Sequence, residues 1–268
     1  MGHASWRIFS PLFNNRPLIM LIILLFFVLH WYLSLFMQTF FQHRYAAHGA
    51  FYMKKSWERF FYMIAYVTQG SSYVSPRTYG IMHRMHHAFT DTEKDPHSPK
   101  YDKNIFSIMW RTRNISNDIY KGKMEVESRF LKNLPDWQNM DRLAHSTWSR
   151  LAWIAVYILF YIQFAPSAWF FLLLPIHILM VPIQGVIINW FAHKYGSVNF
   201  PMKNTSTNLF KLDIFMMGEA YHNNHHKNPS STNFGFRWHE IDPTYMIIRF
   251  FHWLKIIRFH KPATVFAP

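Results

Sequence analysis

Two stretches of this chain carry no charged residue: Leu18 to Phe41, 24 positions, and Leu151 to Ala192, 42 positions. Crossing a bilayer takes a helix of about 20 apolar residues. The chain is therefore expected to be an all-α integral membrane protein. The first stretch, read as a span over about 18–41, is too long for a cleaved leader, and no small-x-small cleavage site accompanies it. Pro166 and Ser167 interrupt the second, which reads as a hairpin with arms over about 148–165 and 168–191, kinked between Pro175 and Pro182.

The polar remainder is histidine-rich. His83-Arg84-Met85-His86-His87 and His222-Asn223-Asn224-His225-His226 repeat one pattern, H-x-x-H-H. With 17 histidines in 268 residues, about 0.07 matches are expected at random, so the pair is signal. On a helix, imidazoles at i, i+3 and i+4 fall within one arc of the surface. His43 and His48 lie five residues apart, about 140° on an ideal α-helix. Both can serve one site only if the helix ends or bends between them, or if the site lies between helices; Gly49 suggests an ending there. His193 closes the second apolar stretch.

Topology constrains these clusters. If the ambiguous segment 57–74 crossed completely, His43 and His83 would face opposite sides, so it is expected to be re-entrant or interfacial. The hairpin then returns the chain to the side it left. Residues 75–147 and 194–268 form a helical cap on that side, holding a histidine-ligated di-metal site within a single domain, 1–268. The excess of 28 Lys plus Arg over 14 Asp plus Glu places the cap in the cytoplasm and, with no nucleic-acid motif beside it, does not indicate nucleic acid. Residues 1–16 read as an interfacial arm, and 246–257 as an amphipathic helix on the membrane surface.

Nine neutral imidazoles, His43, His48, His83, His86, His87, His193, His222, His225 and His226, exceed the ligand capacity of one ion, and imidazole suits iron, zinc, copper or nickel. Cysteine is absent, which excludes thiolate sites and cysteine-held iron–sulfur clusters. Glu219 with His222 makes one E-x-x-H element, but a carboxylate-bridged di-iron bundle needs two. His239-Glu240 lacks the second histidine of a zinc protease. Glu219 stands as a candidate to orient a ligand imidazole, against the alternative of a solvated or helix-capping carboxylate. Metals beside apolar spans, with open positions, point to O₂-dependent attack on an unactivated C–H bond of a lipid-like substrate, giving dehydrogenation or hydroxylation. A metal transporter would instead place its ligands within the spans.

These elements, in order, resemble the membrane fatty acyl desaturases of the acyl-CoA and bacterial acyl-lipid type, mostly Δ9-acting. The resemblance rests on His43 and His48; on His83 to His87 with Asp95-Pro96-His97; on Asn189 to Gly196; on Gly218 to His226; and on Phe236 to Asp242. It implies two iron ions, O₂ as co-substrate and a cis double bond, with a membrane hydroxylase of alkanes, sterols or carotenoids as the alternative. By motif position it assigns His43, His48, His83, His86 and His225 to one iron, and His87, His193, His222 and His226 to the other, with Asn189 holding a water on the second. Ile81 and Met82 replace the Arg-Asp pair of the animal enzymes, so CoA, acyl carrier protein and lipid all stay open as the acyl carrier. His97 is expected in a Pro-flanked loop, outside the ligand set and in reach of the carrier. Electrons must come from an external ferredoxin-like or b-type cytochrome donor. Lys94, Lys100, Lys103, Arg111 and Arg113 would form its docking face, or a lipid-facing basic fringe.

Overall fold

The computed structural model describes residues 16–260; the arm expected over 1–16 lies, but for its last residue, outside them. Helix α1, Arg16–Phe36, runs without interruption into a π-helix over Met37–Ala47. The first half exposes Leu21, Leu25, Val28 and Leu29, as an apolar solvent would require. In the second half every residue except Tyr45 is buried, so one continuous helix is both a candidate span and part of the protein's core. It ends where Gly49 takes a positive φ of 57°, a conformation that costs glycine nothing.

The chain then forms strand β1, Phe51–Met53, and helix α2, Lys55–Gln69. At 15 residues α2 is about 22 Å long, short of the ~30 Å hydrocarbon core. It buries Phe61, Tyr62 and Ala65 against the π segment while Phe60, Met63 and Val67 face outward. A 3₁₀ turn, Gly70–Ser72, leads to α3, Pro76–Phe89, which carries His83, His86 and His87. Ser75 caps α3 by accepting from the Thr78 amide, and Pro76 fills the first turn, where no N–H is needed. A Cβ on Gly80 would lie 3.2 Å from the Ala46 carbonyl oxygen, so a residue without one lets α3 approach the π segment. Arg84 stitches the two together, donating to the carbonyls of Ala46 and Ala47 at 3.0 and 2.6 Å.

Helices α4, Ile105–Tyr120, and α5, Gln138–His145, follow, and α6, Thr147–Phe164, begins the second apolar stretch. The return arm is not one helix. A 3₁₀ segment and α7, Leu174–Ile178, meet α8, Met180–Val186, with a bend of 71° at Leu179. Pro182 has no N–H to give the Ile178 carbonyl, and its ring blocks that position, so the break falls one turn before it. Among the described residues one helix, Pro17–Ala47, is long and apolar enough to cross a membrane, or two if the bent pair counts as one span. Helix α6 falls short because Ser149 and Arg150 occupy its first turn. Polar contacts tie the bent arm to α1: His30 Nδ1 and His177 Nδ1 are 2.6 Å apart, and Ser34 Oγ donates to Gln184 Oε1 at 3.2 Å.

After α8 a second π turn, Ile187–Phe191, precedes His193. Helix α9, His222–Lys227, is followed by α10, Pro243–Trp253, and strand β2, Ile257–Phe259. β1 and β2 pair antiparallel with Phe51 opposite Phe259, so the fold is mostly helical and not all-α. Three residues per strand are too few for an alternating pattern to show in the sequence. The ribbon also takes Ile257, the last residue of the stretch expected as amphipathic helix.

Candidate metal centre

His43 and His48 share a face because the helix carrying them is a π-helix. The His48 amide donates to the His43 carbonyl at 3.1 Å, an i→i+5 bond. Such a turn holds one more residue than an α-turn, so five residues close nearly a full circle and the ring centroids are 5.0 Å apart.

The nine rings gather into two groups: His43, His48, His83, His87 and His225 in one, His86, His193, His222 and His226 in the other, with the ligand-type atoms in each group within 4.8 Å of one another. The Nε2 atoms converge. His87 Nε2 is 2.9 Å from His83 Nε2 and 2.8 Å from His225 Nε2, and His43 Nε2 is 3.0 Å from His225 Nε2. His222 Nε2 lies 3.0 Å from both His193 Nε2 and His226 Nε2. The groups touch where the His87 and His226 rings lie 4.5 Å apart.

This grouping corrects the expected division: His87 belongs with His83, and His86 with His193, His222 and His226. The reason is helical geometry. A four-residue step rotates about +40° and a three-residue step about −60°, so His83 and His87 are nearer in azimuth than His83 and His86. The second box obeys the same rule, keeping His222 with His226 and sending His225 across.

Helix α9 has six residues, too few to hold its shape alone. Asn208 Oδ1 accepts from the amides of Asn223 and Asn224 at 3.0 and 3.2 Å, Asn223 Oδ1 accepts from the amides of Asn199 and Phe200, and Asn224 Nδ2 donates to Glu240 Oε2 at 2.8 Å. The two asparagines between the box histidines are thus the anchors that aim them.

Behind the rings lies a polar layer. His43 Nδ1 donates to Glu219 Oε2 at 2.7 Å, and Thr39 Oγ1 donates to Glu219 Oε1. Glu219 is buried and neither solvated nor capping. Burial alone would raise its pKa, but His43 and Arg44 hold it below the usual value. Arg44, wholly buried, bonds Asp242 at 2.7 Å and lies 3.7 Å from Glu219. His86 Nδ1 is 2.9 and 3.0 Å from the two oxygens of Asp95, a contact the sequence reading did not foresee because nine residues and an irregular loop separate the two. Asn189 sits half-buried on the π turn before His193. His97 lies in the Pro-flanked loop and is buried there, 3% exposed, with its ring 4.5 Å from that of His86. Arg111 leaves the expected basic docking face, since it bonds Asp102 at 2.8 Å and the carbonyls of Asp95 and Ser98.

The donor set fits transition-metal ions. His48 Nε2 is buried with no hydrogen-bond partner among the described residues, although it lies with four other imidazoles. Burial, with neighbouring positive charge, pushes His48, His83, His86, His87, His222, His225 and His226 well below the ordinary 6.5; His193 is lowered less, opposed by Asp91 and Asp95. The neutral, ligating form is therefore the folded form. Since these folded-state pKa values lie below the unfolded one, stability is full above about pH 6.5 and is lost as pH falls through that value, where the unfolded chain takes up more protons. Melting temperature and retained metal, followed from pH 8 to about 5, should fall together below 6.5; a flat profile would contradict this.

The described residues thus form a mostly helical chain with an apolar helix of spanning length and two all-imidazole groups that could each hold a metal ion. Comparison with known proteins gives the family: residues 14–252 match the fatty acid desaturase model, and the chain belongs to that family. It is similar to Delta-9 desaturase-like 5 protein of Arabidopsis thaliana, with 32% identity over 81% of this chain and 70% of that protein. It is also similar to Delta-9 acyl-lipid desaturase 2 of Arabidopsis thaliana, with 29% identity over 78% and 65% of the two chains. With the sn-1 stearoyl-lipid 9-desaturase of Synechocystis sp. the identity is 30% over 69% and 56%. The protein is an oxidoreductase, a desaturase enzyme.

Proposed function

We propose that this enzyme introduces a cis Δ9 double bond into a saturated fatty acyl chain of a membrane lipid, with O₂ as co-substrate. The observation that carries the reading is the pair of touching, buried, all-imidazole groups in a chain of this family. Relatives described as acyl-lipid and stearoyl-lipid 9-desaturases favour lipid over CoA or acyl carrier protein as the carrier, and the 9 position.

His43, His48, His83, His87 and His225 would hold one iron, and His86, His193, His222 and His226 the other, with the Asn189 amide presenting a water to the second. A di-iron centre supplies reductive use of O₂ and removal of two hydrogens from adjacent methylenes. The chain's own residues do the rest. Neutral imidazoles at the eight positions other than His43 avoid burying that many positive charges together. Glu219 fixes the His43 ring through Nδ1. The surrounding apolar core excludes water, and regioselectivity comes from how an apolar passage holds the acyl chain, since methylenes offer no polar handle.

In the bilayer, α1 would cross once, and α6 with the bent arm would form the returning hairpin, α2 lying in the interface. All nine histidines then sit on the cytoplasmic side with the basic segment 91–150. Lys94, Lys100, Lys103 and Arg113 would receive an external ferredoxin-like or b-type cytochrome donor.

Expression in a host with a suitable reductase, followed by mass spectrometry of lipid methyl esters, tests this. New monounsaturated acids with the bond at C9 are expected, first in intact membrane lipids. Hydroxy acids alone would overturn the reading in favour of a hydroxylase, and unchanged lipids would overturn it outright.

A further inference from the structure

Each imidazole group contains a ring whose outer nitrogen is gripped by a buried carboxylate. In the first group this is His43 on Glu219; in the second it is His86 on Asp95, both side chains fully buried. His86 turns its other nitrogen inward, with Nε2 3.2 Å from His226 Nε2.

Asp95 is itself immobilised. Its Oδ1 accepts from the His97 amide and its Oδ2 from the Asp91 amide, each at 3.0 Å. Arg111, on α4, clamps the loop through the Asp95 carbonyl at 2.7 Å and the Ser98 carbonyl at 2.8 Å. The same loop reaches a second ring of that group. Asp91 Oδ2 accepts from the Thr205 amide at 2.7 Å, and Thr205 Oγ1 lies 3.1 Å from His193 Nδ1. His97 covers the outer face of His86. By contrast, His222 Nδ1 and His225 Nδ1 have no hydrogen-bond partner among the described residues.

A carboxylate on one imidazole nitrogen holds the proton there, which leaves the other nitrogen's lone pair facing inward and raises its basicity. We propose, on the di-iron reading above, that Asp95 is the positioning residue of the second metal site, and that the loop 91–98 serves that site alone. Glu219 does the same for the first. Because the two carboxylates come from different parts of the chain and hold different rings, the two ions are separately tuned and separately removable.

The test is the iron content of the purified full-length chain after a chelator challenge, by elemental analysis, independent of turnover. Wild type should retain two irons. Asp95→Asn keeps an acceptor for one of the two loop amides but loses the anionic grip on His86, and should hold one of the two irons about 10–100-fold more weakly, so that one remains. Asp95→Asn combined with His193→Ala should still retain one iron, since both changes strike the same site. Asp95→Asn combined with His225→Ala should retain none. Asp95→Asn with two irons as firmly held as wild type overturns the proposal. So does loss of both from the single variant, or a metal-free Asp95→Asn chain that melts well below metal-free wild type, which would make Asp95 a loop-folding residue. A wild-type chain that binds no iron removes the di-iron reading itself, a result distinct from these.

Discussion

Alanine at His225 is expected to abolish desaturation and to strip one metal from the enzyme. His225 Nε2 stands 3.0 Å from His43 Nε2 and 2.8 Å from His87 Nε2, within the five-histidine group, and its ring packs on Phe234 at 4.5 Å. Loss of an outer partner alone costs 10–100-fold in metal affinity or activity; loss of the ligand should cost more than about 100-fold. The corrected grouping makes the test sharper. His87→Ala should deplete the same ion as His225→Ala, whereas His86→Ala should deplete the other. Methyl-ester analysis and iron content of the variants check both statements, and retained activity in His225→Ala would remove it from the ligand set.

The largest effect on stability is expected at Arg44. Its guanidinium is wholly buried, bonds Asp242, donates to Thr39 Oγ1 and lies over the Phe234 ring at 3.8 Å. Arg44→Met keeps the volume but leaves Glu219 and Asp242 buried beside one another without their cation. Breaking one side of such a network costs about 3–5 kcal/mol, or roughly 6–20 °C in melting temperature for a chain of this size. Thermal unfolding in detergent measures it. The loss should be partly recovered in Arg44→Met with Asp242→Asn, which removes one of the stranded charges, and a single variant melting like wild type would contradict the account.

The H-x-x-H-H repeat and His43, His48 and His193 pick out the nine rings of the two imidazole groups, though not His97, which lies with His86 and Asp95. They are legible because a helix turns residue spacing into direction, and because the neutral imidazoles of so dense a cluster have few uses other than ligation. Glu219 is legible as a candidate for the same reason of spacing. Asp95 is not, because its approach to His86 depends on a loop held by Arg111 from another helix. The exchange of His86 and His87 between groups is likewise invisible in a motif. It depends on which side of α3 each neighbouring element occupies.

The sequence by itself therefore determined the inventory: apolar stretches that demand helices, and a box of histidines on each of two helices, rings of a kind suited to holding metal. Only the tertiary structure decided how the inventory is dealt out. It packs a π-helix so that His43 and His48 share a face, bends the return arm at Leu179, and turns two carboxylates onto two particular rings. The physical reason is that residue type and local period are encoded within a single turn of chain. The partner of a buried nitrogen is chosen by segments far away in sequence, whose approach is set by packing.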